Sequence, residues 1–338
     1  MKRILFYSSV NSLELFKTQK FYQIDISILK DLGYDVLLSN RIFDSLLFWK
    51  YDILFSYFYR YSFFAALLAK CFGKKTYFTG GIDSLDSDYA SAFNYKIQAL
   101  FFKLCYWVAD SCIIVSQSDL KNIFKVSSLK KKLSYSEHVI NTKLFIADVP
   151  KEKIFTSIVW MGDEGNVVRK GVDKALQIFA ELKKIPEFVD YRFVIIGRIG
   201  EGEVLVRSII DKYNLKGSVE LKGEVSEEDK INLLKQSKYY FQLSLYEGFG
   251  LAALEALCAN NIIIHSGKGG LANPIYKEQL LFDIDNDFDS ELLKLVNKLA
   301  CFTPITSYDN LLEYYDIQRR KDDFEAIIVN GKSNYKLK

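Results

Sequence analysis

Short apolar runs alternate along this chain with longer stretches of helical periodicity. Arg3-Ile4-Leu5-Phe6-Tyr7 reads as an opening strand, followed by Ser8-Ser9-Val10-Asn11-Ser12. A helical stretch through Ile24 to Leu32 ends at Gly33, a residue suited to the left-handed turn that closes a helix. Tyr34 to Leu38 reads as the next strand, so the chain starts as a βαβ unit. Further strand-like runs lie at Ile53-Leu54-Phe55, Lys75-Thr76-Tyr77-Phe78 and Cys112-Ile113-Ile114-Val115, with helical patterns at 60–71 and 93–108 between them.

Around 146–156 the pattern restarts. Pro150 and the charged Lys151-Glu152-Lys153 predict a linker, and Ile158-Val159-Trp160-Met161-Gly162 a new strand and turn. A helix over Val172 to Leu182, a strand at Phe193 to Ile196 and a helix at 203–213 follow. A strand at 218–221, a helix at 227–237 and a strand over Tyr239 to Leu243 come next, with another strand at Ile262 to Ile264. The expected architecture is α/β: two doubly wound domains, 1–150 and 151–312, with 313–338 as a tail in which Tyr314 to Ile328 has helical spacing. In such folds a ligand is expected at the carboxyl ends of the strands, in a cleft between the domains.

Composition narrows the class. At 338 residues the chain exceeds one ordinary core, and 49% hydrophobic with 26% charged residues is a globular balance. Five cysteines (71, 105, 112, 258, 301) without a Cys-x-x-Cys pair argue against a disulfide framework or a zinc site, and suit a reducing cytoplasm. Two histidines, His138 and His265, are too few for a histidine metal cluster and read as structural. The apolar run Ile4 to Tyr7 is shorter than a secretory leader needs, and the tracts at 63–69 and 97–108 are too short to span a bilayer. The net charge of +3 is uneven. Residues 1–150 carry 19 Lys and Arg against 13 Asp and Glu, and the remainder 26 against 29. A basic, aromatic first half is compatible with an anionic membrane surface or polyanionic acceptor, and equally with a solvated lysine-rich surface. Nucleic acid is not expected, since no nucleic-acid module is visible.

One stretch concentrates candidate chemistry. Glu247-Gly248-Phe249-Gly250-Leu251-Ala252-Ala253-Leu254-Glu255 places two carboxylates eight residues apart, with a glycine turn between a strand and a helix. A helix start offers unpaired backbone N–H groups and the positive end of the dipole, and glycine lets an anion approach. A diphosphate could sit at 249–251, with Glu255 accepting from a ribose hydroxyl pair. Glutamate in a first helical turn and glycine in a strand-to-helix turn are also common as plain architecture.

The neighbouring motifs favour the first reading. Gly162 followed by Arg169-Lys170-Gly171, then Ile195-Ile196-Gly197, Leu221-Lys222-Gly223-Glu224-Val225-Ser226, the Glu247 to Glu255 stretch and Gly269-Gly270 fall in one order. In that order the second half, from about Ile158 to Leu281, resembles the donor-binding domain of the family-4 (group 1) retaining glycosyltransferases of GT-B fold. The resemblance implies that Lys170, with Arg169 beside it, meets the donor diphosphate and that Gly248, Phe249, Gly250 and Leu251 cradle it. It further implies that Glu247 lies at the transferred sugar, Glu255 at the ribose, and Val225 at the nucleobase through its backbone. The implied partners are a nucleotide-sugar donor and a glycan or lipid-linked acceptor held by the first domain; the basic, aromatic first half adds an expected peripheral contact with an anionic membrane surface, at the inner face of the cell membrane. The implied tail helix crosses back onto the first domain. No cofactor or metal is expected, because basic side chains and a helix dipole neutralise the leaving diphosphate.

Departures from the family fall mainly in the first half. The loop after the first strand is Ser8-Ser9-Val10-Asn11 where relatives carry Gly-Gly. Thr79-Gly80-Gly81-Ile82-Asp83 lacks the histidine found near the donor sugar. Asp83 is the ionisable group there, so it is the candidate contact to acceptor or sugar, with capping of the following turn as its rival role. Asp163 stands where many relatives have Arg, and Arg169 or Arg198 is the expected replacement cation. The acidic run Asp83-Ser84-Leu85-Asp86-Ser87-Asp88 reads as solvated rather than metal-binding. A sugar-nucleotide epimerase of the same fold and a degenerate, non-catalytic GT-B chain remain alternatives. A nicotinamide dehydrogenase ranks last, since no Gly-x-Gly-x-x-Gly follows the first strand.

Overall fold

The computed structural model describes residues 1–128, 130–146, 149–302 and 309–332. The chain divides into two compact units, one formed by Met1–Ile140 with the segment from Tyr314 onward, the other by Asn141–Glu313. Each holds a six-stranded sheet in which every neighbouring pair runs parallel.

In the first unit the strands are β1 (Arg3–Ser8), β2 (Asp35–Ser39), β3 (Ile53–Tyr57), β4 (Lys75–Thr79), β5 (Ser111–Ile114) and β6 (Leu133–Tyr135), in the order β2-β1-β3-β4-β5-β6. Strands covered on both faces must be apolar throughout, and the central β3 is buried at every position. The sequence pattern anticipates five of these strands. It misses β6, a three-residue edge strand whose apolar signal is Leu133 alone, and the helix Gln117–Val126, whose surface is largely polar.

The tail packs within this first unit, as the resemblance implied. Of the helical stretch read at Tyr314 to Ile328, Tyr314 closes the helix Asp309–Tyr314, and a separate helix Ile317–Phe324 follows and runs into a π-turn over Glu325–Val329. The break falls where the Tyr315 carbonyl accepts from Ile140 N–H (3.0 Å) and Asp316 caps the new helix start through Gln318 N–H (3.0 Å). Arg320 anchors the second helix. Its guanidinium donates to both oxygens of Asp25 (2.7 and 2.8 Å) and to the carbonyls of Ser136 (2.5 Å) and Glu137 (3.1 Å), and both members of the pair are fully buried. Tyr57 also donates to Asp25.

The second unit contains β7 (Glu152–Ile158), β8 (Arg192–Ile196), β9 (Val219–Gly223), β10 (Ser237–Gln242), β11 (Ile262–His265) and β12 (Leu280–Leu281), in the order β12-β11-β10-β7-β8-β9. One expectation is corrected here. Glu152 and Lys153 begin a strand rather than sit in a linker, and the strand read at Ile158 to Gly162 ends at Ile158. The charged start is tolerated because it is solvent-exposed and cross-strand paired, with Arg192 on β8 reaching Glu152 at 3.2 Å. The strand order reverses between β7 and β10. At such a switch point the loops leaving two adjacent strands diverge and open a crevice at the carboxyl end of the sheet.

Candidate functional site

The two loops that leave this switch point carry most of the candidate residues. After β7 the chain turns at Gly162 into the helix Glu164–Arg169, then passes Lys170 and Gly171 into the helix Val172–Leu182. After β10 it runs through Ser244 and Glu247 to the helix Leu251–Cys258. Leu245 N–H donates to the Arg169 carbonyl at 2.8 Å and stitches the two loops together.

Glycines make that approach feasible. Gly171 has φ 69°, and a Cβ there would lie 2.0 Å from the Leu243 carbonyl oxygen. Gly250 has φ 87° and leads directly into the helix start at Leu251. Gly270 N–H donates to the Glu247 carbonyl at 2.6 Å, and a Cβ on Gly270 would meet Phe249 backbone at 2.5 Å. The Gly248-Phe249-Gly250 turn is thus held from behind by the Gly269-Gly270 loop. Phe249 itself is buried, so whatever it offers a ligand comes from its backbone.

Lys170 and Glu247 meet at the centre. Lys170 Nζ lies 2.6 Å from Glu247 Oε1, with 21% and 12% of the two side chains exposed. The same oxygen accepts from Gln242 Nε2 (2.8 Å) and Ser244 Oγ (2.7 Å). Gln242 in turn accepts from Tyr240 OH at 3.1 Å and donates to Ser244 at 2.9 Å. Tyr240 and Gln242 stand two apart on β10, so strand alternation places them on one side, and Ser244 just beyond the strand continues the polar line to Glu247. The sequence reading passed over these residues. Their signal was there, a glutamine at every-other spacing within an otherwise apolar run.

Glu255 is buried on the helix Leu251–Cys258, and Lys230 Nζ on the helix Glu227–Gln236 binds its Oε2 at 2.8 Å. Lys230 also reaches Glu227 (3.1 Å) and lies 6.0 Å from the Phe145 ring centroid. Lys230 is the second group the sequence reading missed. Its only trace there was a lysine in an acidic helix start, which reads as a solvated charge.

The remaining predicted residues divide. Arg169 turns away from Glu247: its guanidinium donates to Asn166 Oδ1 on its own helix (3.2 and 2.8 Å). Asp163 is the N-cap of that helix and accepts from Asn166 N–H at 2.7 Å, which accounts for an acid at this position without placing it against a phosphate. Val225 follows β9 and packs half-buried against Ile154, Val194, Ile196 and Leu233. His265 closes β11, buried beside the Tyr276 ring (5.6 Å), and burial pushes its pKa down to about 4. Among the described residues, no group of three or more His, Cys, Asp or Glu could hold a metal ion.

Asp83 belongs to the first unit. It opens the 3-10 turn Asp83–Leu85, exposed to solvent, and its carbonyl accepts from Asp86 N–H at 3.1 Å. Behind it Asp119 is completely buried. Asp119 Oδ1 accepts from Ile82 N–H at 3.3 Å, while Oδ2 has no partner among the described residues. Burial first, and the nearby Asp83 second, push the Asp119 pKa up to about 8.

Residues 165–299 match the family described as Glycosyl transferases group 1. A GDP-mannose:cellobiosyl-diphosphopolyprenol alpha-mannosyltransferase of Xanthomonas oryzae pv. oryzae (strain PXO99A) is 32% identical over 163 residues, covering 42% of this chain and 40% of that protein. The Arabidopsis thaliana member of the phosphatidylinositol N-acetylglucosaminyltransferases is 25% identical over 215 residues, covering 62% of this chain and 46% of that one. The chain therefore spans less than half the length of these curated relatives. Anabaena HepE, solved with UDP and glucose, superposes with a TM-score of 0.73 at 11% identity, covering 98% of this chain and 100% of that one. Sucrose-phosphate synthase from Thermosynechococcus elongatus gives 0.66 at 16% identity, covering 98% and 97%. At such identities the likeness is one of fold, and the fold is GT-B.

Proposed function

We propose, for a chain whose second unit belongs to the group 1 glycosyl transferases, that it moves a hexose-type sugar from a nucleotide-sugar donor to a glycan or lipid-linked acceptor. On this reading transfer retains the anomeric configuration and serves cell-surface polysaccharide synthesis. The observation that carries it is the Lys170–Glu247 pair, set between two loops of the β7/β10 switch point and beside the helix start at Leu251. A cation and an open helix start together suit a diphosphate; the adjacent carboxylate suits a sugar.

The donor diphosphate occupies the N–H groups at Gly250 and Leu251, and Lys170 exchanges Glu247 for a phosphate oxygen. Glu247 keeps its place through Gln242 and Ser244, both of which bond Oε1, so Oε2 is left for the sugar. Glu255 receives the ribose hydroxyls while Lys230 fixes its carboxylate. The base lies along the backbone at Gly223 to Val225. As the bond from the sugar to the diphosphate breaks, negative charge grows on the leaving group, and Lys170 with the helix dipole stabilises it without a metal. Asp83 serves the acceptor or the sugar from the first unit. Two relatives carry lipids in their names, a diphosphopolyprenol and phosphatidylinositol, which supports a lipid-linked acceptor.

Thermal shift with UDP, GDP and their sugars tests the donor site, because a ligand that binds the folded state raises its melting point whatever the acceptor. One member of the panel should raise the transition in the native chain and fail to do so in Lys170→Met. A transition unmoved by every member would overturn the reading. Donor binding without transfer or donor hydrolysis would point instead to a non-catalytic role.

A further inference from the structure

The helix Ala92–Val108 is built the wrong way round for a helix on the surface of a globular unit. Its buried side is filled by Gln98, Phe102, Cys105, Tyr106 and Val108. Its outward side nevertheless carries Phe93, Leu100 and Trp107, which are 73%, 57% and 68% exposed and stand seven residues apart. That spacing is two helical turns, so the three make one stripe. Lys96 and Lys103, also seven apart and exposed, flank the stripe along its length.

The neighbouring helix Ser62–Cys71 widens this face. Phe64 at its start, and Tyr61 just before it, are exposed, and their rings lie 6.1 and 6.3 Å from the Phe101 ring. Neither helix contains an aspartate or glutamate, and Lys96 and Lys103 edge the stripe, while Lys70 is taken up by Asp110, just past the end of Ala92–Val108, at 2.9 Å. Monomeric soluble proteins keep large exposed apolar side chains scattered, and a contiguous stripe of them marks a surface that is covered in use. Among the described residues no helix is long and apolar enough to cross a membrane. A stripe of Phe, Leu and Trp edged by Lys96 and Lys103, on a helix that itself carries no acid, fits the boundary between headgroups and acyl chains. The apolar side chains enter there and the lysines meet anionic lipid.

We propose that this face, the helix Ala92–Val108 with the start of Ser62–Cys71, docks the first unit onto an anionic lipid bilayer. Its helix lies in the plane of the interface, with Phe93, Leu100 and Trp107 inserted and Lys96 and Lys103 at the headgroups. The docking needs no donor, so it stands apart from the transferase reading. The two join in one respect: a surface-bound enzyme meets an acceptor whose lipid anchor is held in that same surface.

Co-sedimentation with phosphatidylcholine vesicles, with and without phosphatidylglycerol, tests it on the whole chain. The native protein should bind the anionic vesicles and bind the neutral ones much less. A basic residue near an anionic surface is worth roughly a five-fold change in partitioning, so Lys96→Glu with Lys103→Glu should weaken binding on the order of thirty-fold or more. Leu100→Ser with Trp107→Ser should weaken it about ten-fold or more through the lost apolar insertion. All four positions are exposed, so both double variants should keep the native melting transition and its shift by nucleotide sugar. Vesicle binding equal in the native chain and in both variants would overturn the proposal. So would a lipid-free dimer that the Leu100→Ser and Trp107→Ser variant converts to monomer, since the face would then meet a second copy. A donor site that fails its own thermal-shift test leaves the vesicle result to be read independently.

Discussion

Each unit holds a cation and a carboxylate in contact, and the two pairs are built for opposite ends. Arg320 and Asp25 are wholly buried, bidentate, and surrounded by further acceptors in Ser136 and Glu137 and a donor in Tyr57. Lys170 and Glu247 touch through one oxygen, with part of each side chain open to solvent. A buried, fully bonded pair has no spare valence for a ligand and locks two distant segments together. A half-open pair can trade partners: on the proposed reading an arriving anion takes Lys170 from Glu247, and Glu247 keeps its bonds to Gln242 and Ser244. Geometry and exposure, not the presence of an ion pair, separate the structural pair from the candidate functional one.

The sharpest way to break the comparison is at Arg320. Arg320→Ala leaves Asp25 charged and buried without its partner, a loss of about 3–5 kcal/mol in pairs of this kind. Denaturant unfolding should show that loss. Replacing both members together, Arg320→Met with Asp25→Leu, should recover a large part of it, because no lone charge then remains. If the single variant keeps native stability, the C-terminal helix is not held by this pair.

At Lys170 the effect should fall on function. Removing one preorganised group that stabilises developing charge costs about 10²–10³ in rate, so Lys170→Met should lose kcat/KM on that scale while its melting transition stays near the native value. Glu247→Gln keeps the shape and the acceptor oxygen for Gln242 and Ser244, and should lower kcat while leaving donor affinity nearly intact. An unfolded Lys170→Met would mean that this pair, too, is structural.

The unequal character of the two pairs also explains what the sequence disclosed. Lys170 and Glu247 sit in short loops beside glycines, where the chain must turn and where spacing is visible one residue at a time. The helix start at Leu251 and the turns at Gly171 and Gly250 were legible for the same reason. Arg320 and Asp25 are 295 positions apart, and no local pattern links an arginine in a charged tail to an aspartate in an amphipathic helix. Lys230 was hidden likewise, as one lysine in a polar helix, although the fold sets it on Glu255. Arg169 shows how adjacency in sequence can differ from direction in the fold. Adjacency to Lys170 suggested a shared target, but successive helical positions point about 100° apart, and Arg169 turns to Asn166. The early β7 start was missed because charged residues were taken as linker where a strand can carry them exposed.

A smaller effect is expected at Glu255. A hydrogen bond to a charged group is worth about 1.5–3 kcal/mol, so Glu255→Gln should weaken the nucleotide roughly ten- to a hundred-fold by titration calorimetry. The same substitution also leaves Lys230 without its carboxylate, so Lys230→Met serves as the control. If Lys230→Met weakens the nucleotide as much as Glu255→Gln does, the carboxylate acts through its position rather than through contact with the ribose.

A last test, read from a pH slope rather than a single loss, concerns the acidic turn of the first unit, where a buried carboxyl faces further acids. Asp119 keeps its proton in the folded chain up to about pH 8, and the unfolded chain releases it near pH 4. Across that window the folded state binds more protons, so this group makes stability fall as pH rises, by at most about 1.4 kcal/mol per pH unit. Below the window both states are protonated, and above it both are ionised, so the slope vanishes on either side. Buried His138 and His265 have lowered pKa values and act oppositely, making stability rise with pH below the ordinary histidine value. Only the difference between the native chain and Asp119→Asn isolates the carboxyl. Because asparagine stays neutral and can still accept from Ile82 N–H, that variant should lose less stability than the native chain between about pH 5 and 8, measured as denaturant midpoints on the two proteins in parallel. Parallel pH profiles would show that Asp119 ionises normally and that Asp83 stands over no strained carboxyl. A gap that widens with pH would make the Asp83 turn a place where proton occupancy and loop structure are coupled, as, on the proposed reading, the half-open pair of the second unit couples charge to a ligand.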